Sequence, residues 1–84
     1  MNKENLFKEL KELVTELSKS TQEITEGTNM TYDLGFDSIL LIELFTAIEE
    51  RYHVEFDFEG IDFEKIVIYE NFVNYVASVI EVSK

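Results

Sequence analysis

Apolar residues in the first eighteen positions recur with helical spacing. Leu6, Phe7, Leu10, Leu13, Val14 and Leu17 fall at i, i+1, i+4, i+7, i+8 and i+11, one stripe of a predicted helix over residues 3–18. The pattern returns after residue 37, where Leu41, Leu44, Phe45, Ile48 and Tyr52 share one side of a predicted helix over 38–52 and Glu43, Thr46 and Glu50 the other. Ile39 and Ile42 break it: the first points into the middle of the polar face, and the second lies on its border, close to Ser38. A last helix, predicted over 70–82, carries Phe72, Val76, Val79 and Ile80 on one stripe, with Val73 beside it.

The connecting segments are less regular. "VEFDFE" alternates as a strand would and "KIVIY" is β-branched, so a hairpin competes here with a loop and a short helix over 61–66. An isolated two-stranded hairpin is marginal in water, and both flanks are helical, which favours the short helix. Residues 19–37 are rich in Ser, Thr, Asn and Gly, with Ile24, Met30, Tyr32 and Leu34 as scattered apolar anchors, and are expected to form a long loop. Loops of that length in small domains usually have a function. The expected fold is all-α: a four-helix bundle with three longer helices and one short.

Composition narrows the function. At 84 residues the chain is expected to form a single domain over 1–84, with a modest core and no room for a deep catalytic cleft. The absence of cysteine excludes disulfides, thiolate metal sites and cysteine nucleophiles, so any thiol chemistry has to be imported. There is no proline, no Gly/Ser-rich stretch and no repeat to suggest a linker. No apolar run approaches a membrane span and "MNKENLFKEL" lacks a signal-peptide core, so a cytoplasmic protein is expected. The net charge of −11 disfavours nucleic acid and anionic membrane as partners and favours proteins that present Lys and Arg.

Catalytic and metal chemistry find little support. The only histidine, His53, lies about four helical turns from Ser38, so no Ser-His-Asp arrangement is evident and no catalytic residue is assigned. Asp57, Glu59, Asp62 and Glu64 do not follow the calcium-loop pattern with its central glycine and are read as a solvated face, with no metal site.

The stretch "DLGFDSIL", residues 33–40, poses the sharper question. Either Asp37 or Ser38 merely caps the following helix, or Ser38 is held out in solvent to be modified. The longer stretch "DLGFDSILLIELFTAIEERYHVEF", with a helix before it and "NFVNYV" after it, resembles the signature of the acyl carrier proteins. That resemblance implies a four-helix bundle without catalytic activity of its own. It makes Ser38, next to Gly35 and Asp37, the attachment site of 4'-phosphopantetheine, which a magnesium-dependent phosphopantetheinyl transferase takes from coenzyme A. Physical chemistry agrees, since a helix N-terminus favours a negative group such as a phosphodiester. Ile39 and Ile42 would then supply apolar contact, and Glu43, Glu49 and Glu50 charge, for the transferase and for acyl-loading and synthase enzymes with basic surface patches.

Three departures from the fatty-acid type stand out: Phe36 where a small residue is usual, Leu40 in place of an aspartate, and no proline after the second predicted helix. They point to a discrete, monomeric carrier in specialised polyketide or fatty-acid-like biosynthesis. A peptidyl or aminoacyl carrier of a nonribosomal peptide-type pathway is the nearest alternative, and an unmodified acidic interaction adaptor is the alternative of another class. Bulky residues expected near Ser38, namely Phe36, Leu41, Phe45, Phe63, Ile66 and Tyr69, predict that cargo stays largely in solvent.

Overall fold

A computed structural model describes residues 2–19 and 22–82. Five α-helices follow one another: α1 (Lys3–Ser18), α2 (Met30–Leu34), α3 (Ser38–Tyr52), α4 (Phe63–Ile66) and α5 (Tyr69–Val82), with a 3-10 turn at Phe58–Gly60. Among the described residues the only β-pairing is an isolated bridge between Asn29 and Ile68, so the segment from Val54 to Tyr69 is not a hairpin. No helix among them is long and apolar enough to cross a membrane.

The three long helices follow the periodic stripes. Leu6, Leu10 and Val14 of α1, Leu41, Leu44, Phe45 and Ile48 of α3, and Tyr69, Phe72, Val73 and Val76 of α5 bury their side chains in one shared core. Local chemistry sets the ends. The Asn2 side chain accepts from Asn5 N-H at the start of α1, and α3 stops where His53 turns into the left-handed region at φ 56°.

The long loop expected before α3 is broken by α2, a helix the periodicity did not predict. Asn29 caps it by accepting from the N-H groups of Thr31 and Tyr32, at 2.9 and 3.0 Å. Asp33 answers by accepting from Asn29 N-H at 2.9 Å. Met30 and Leu34, one turn apart, drop into the core and tie the segment down. Met30 N-H donates to Val67 carbonyl at 2.7 Å, which fastens α2 to the entry of α5.

Two polar clamps orient α1. The Tyr69 hydroxyl donates to the Phe7 carbonyl at 2.5 Å, beneath an edge-on contact of the two rings at 4.8 Å. Two residues further along α1 the Tyr52 hydroxyl donates to Glu9 at 3.1 Å, with the Arg51 guanidinium 3.8 Å from the same carboxylate. Phe45 fills the centre, its ring packed against Phe56, Phe58, Phe72 and Tyr75 at centroid distances of 4.9 to 6.2 Å.

Candidate functional site

Every residue of the stretch Leu34–Ser38 has a distinct task. Leu34 is buried and ends α2. Gly35 then takes φ 77°, a conformation that costs a side-chain-bearing residue energy, and its N-H bonds the Thr31 carbonyl at 3.1 Å. A Cβ at Gly35 would meet nothing within 4 Å, so the backbone angle alone calls for glycine. The turn sends Phe36 back into the core, where it is almost fully buried, with its N-H donating to the Met30 carbonyl.

Asp37 and Ser38 divide the two roles that the sequence left open. The Asp37 carboxylate accepts from Leu40 N-H at 2.8 Å and caps α3. Ser38 is therefore released from capping: it is the first residue of α3, exposed, and its hydroxyl has no hydrogen-bond partner among the described residues. An exposed hydroxyl at the N-terminus of a fifteen-residue helix suits a phosphodiester, because the helix dipole stabilises negative charge there.

The candidate contact residues are only partly brought together. Ile39 and Ile42 share the exposed side of α3 at one-turn spacing, 70% and 45% exposed. Glu43 and Glu50 face solvent on the same helix. Glu49 is half-buried, and its carboxylate accepts from Phe56 N-H at 2.8 Å, so it pins the segment after α3 rather than standing free. His53 is the exposed cap at the far end of α3. Among the described residues no three His, Cys, Asp or Glu side chains gather where they could hold a metal ion.

One residue beside the site was misjudged from sequence. Tyr32, counted there among the apolar anchors of the loop, is 88% exposed. The signal was present: Asn29 and Asp33 as reciprocal caps, with Met30 and Leu34 at one-turn spacing, define a helix whose outer face holds Tyr32.

Of the bulky residues expected near Ser38, Phe36, Leu41, Phe45, Ile66 and Tyr69 are buried in the core and Phe63 is half-buried. Tyr69 turns its hydroxyl to α1. A groove of about 430 Å³, lined by Lys3, Phe7, Lys8, Glu26, Glu70 and Val73 among others, lies between α1 and α5 and shares no residue with the surroundings of Ser38.

Residues 8–66 match the family model described as "Phosphopantetheine attachment site". An acyl carrier protein of Wolinella succinogenes is 35% identical over 72 residues, covering 84% of this chain and 92% of the relative. One from Petrotoga mobilis is 36% identical over 78 residues, covering 92% of this chain and 89% of the relative.

Proposed function

The chain belongs to the phosphopantetheine attachment-site family, and from that premise we propose that it is an acyl carrier whose arm is borne by Ser38. Proteins of this family carry 4'-phosphopantetheine, work with a phosphopantetheinyl transferase and synthases, and are carriers rather than catalysts. The arm supplies the thiol that this cysteine-free chain lacks, and with it a thioester linkage for an acyl group.

The observation that carries the choice of Ser38 is its pairing with Asp37. The aspartate satisfies the first turn of α3, so the neighbouring hydroxyl stands exposed, without a partner among the described residues. In the transfer, Ser38 Oγ gives up its proton and attacks the phosphorus of coenzyme A that bears pantetheine. A Ser38 O–P bond forms, the bond to the second phosphate breaks, and adenosine bisphosphate leaves. Ile39 and Ile42 offer the apolar centre, and Asp37, Glu43 and Glu50 the acidic rim, for enzymes with basic surfaces.

The half-buried Leu40, where the fatty-acid type commonly has an aspartate, makes the surroundings of Ser38 more apolar, which supports service in specialised polyketide or fatty-acid-like biosynthesis, while Phe36 is withdrawn into the core. Intact-mass measurement after incubation with coenzyme A, magnesium and a broad-specificity transferase tests the attachment. The wild type is expected to gain one phosphopantetheine and Ser38→Ala none. No gain in the wild type, or an undiminished gain in Ser38→Ala, would sink the assignment.

A further inference from the structure

Four large hydrophobic side chains stand exposed among the described residues, and three of them, Tyr32, Ile39 and Ile42, bracket Ser38. Single exposed apolar residues are ordinary, but three within six positions of one exposed hydroxyl are a candidate contact surface. Tyr32 is the most exposed of all and lies on a different helix from the two isoleucines.

It is also firmly presented. Its own N-H is held by the Asn29 side chain, Met30 and Leu34 on either side of it are buried, and the helix is tied to Val67 at one end and turned by Gly35 at the other. On a backbone held this way only the two side-chain torsions of tyrosine remain to be ordered when the ring is covered, a low entropic cost for a large contact area.

Its distance from the reactive hydroxyl limits what covers it. Six steps along the chain lead from Tyr32 to Ser38; three advance helically and three at no more than about 3.6 Å each, so their Cα atoms lie within about 16 Å. An ordinary interface of about 800 Å² per partner, centred on Ser38, has a radius of about 16 Å. An enzyme that brings a phosphorus atom to Ser38 Oγ has to sit directly on this spot. Enzymes that act on the cargo reach it at the end of the arm and need not cover the serine itself. Charge complementarity points the same way, since Asp33, Asp37 and Glu43 are exposed around the three apolar side chains and suit a basic partner.

We infer that Tyr32 is the anchor through which the phosphopantetheinyl transferase grips α2, so that the enzyme holds the chain on both sides of Ser38. This rests on Ser38 as the attachment site. The test is the rate of phosphopantetheine transfer from coenzyme A as a function of chain concentration, for wild type, Tyr32→Ala, Tyr32→Phe and Ser38→Ala. Tyr32→Ala is expected to raise KM for the chain about tenfold, leaving kcat and the melting temperature unchanged, with Tyr32→Phe close to wild type. Modification of Tyr32→Ala on Ser38 at the wild-type KM overturns this inference alone. A loss of kcat matched by a lowered melting temperature also overturns it, since the residue is then structural. If the wild type gains no mass, or Ser38→Ala gains it equally, the attachment reading falls and this inference with it.

Discussion

Replacing Phe45 tests whether the aromatic cluster, rather than the bundle as a whole, keeps a tethered acyl chain out of the core. Ser38 and Phe45 are seven residues apart on α3, nearly the same side of the helix with about 10 Å of axis between them. A chain entering beside Ser38 and running along the buried side of α3 therefore meets this ring. The seven apolar carbons of an octanoyl group gain roughly 5 kcal/mol on full burial, at about 0.8 kcal/mol each. Moving Phe45 aside gives up its pairings with Phe56, Phe58, Phe72 and Tyr75, about 2–6 kcal/mol in all at about 0.5–1.5 kcal/mol per pair. The cost reaches the gain at the upper end of its range, so burial leaves the wild-type core little net reason to admit the chain.

Phe45→Ala removes the opposing term. The pantetheine form of the variant should lose about 3–5 kcal/mol of stability, because a fully buried ring leaves a cavity. An octanoyl chain that refills part of it, recovering about 2 kcal/mol, raises the melting temperature by roughly 10 °C in a domain of this size. Thermal melts followed by circular dichroism, on pantetheine and octanoyl forms of both proteins, read the contrast; wild type should move by no more than about 2 °C. Phe45→Leu keeps more of the packing and gives the same contrast at smaller amplitude should the alanine variant not fold. An octanoyl group that stabilises wild type as much as the variant would refute the reasoning.

Burial and the hydrogen bond to Glu9 push the Tyr52 hydroxyl up from its ordinary value of 10.0 to about 12. Its contribution to stability is thus complete below pH 10 and is lost as the pH rises toward 12, and alkaline unfolding curves of Tyr52→Phe should be flatter than wild type over that window. Glu43→Lys should slow phosphopantetheine transfer in low salt and less so in high salt, with an unchanged melting temperature; equal rates in low salt would reduce the acidic face to a solubilising surface. Asp37→Ala removes the cap of α3 and should cost about 1 kcal/mol in urea unfolding, while Asp37→Asn, which keeps the acceptor, should recover most of it.

The long helices were legible because their apolar residues repeat with the helical period over several turns, and even the misfit of Ile39 and Ile42 correctly marked them as exposed. The short helix α2 was not, since five residues carry too little periodicity; its evidence lay in the caps Asn29 and Asp33 and in Gly35. Tyr32 was misplaced with it, because a ring in an assumed loop reads as an anchor. Glu49 illustrates a different limit. Its position on α3 was predictable, but its bond to Phe56 depends on how residues 54–57 fold back along the helix, which no local pattern encodes. The choice between Asp37 and Ser38 as cap also needed coordinates, since either side chain is chemically able to fill that place.

The division of labour between those two neighbours has a consequence for how the protein reports its state. Because the hydroxyl of Ser38 supports nothing in the fold, attaching a group to it removes no hydrogen bond, and the cap of α3 stays with Asp37 throughout. With Ser38 as the proposed attachment point, the fold is expected to be the same with the arm empty or loaded, and an enzyme that has to distinguish the two would then read the tip of the arm, the protein serving as a constant address.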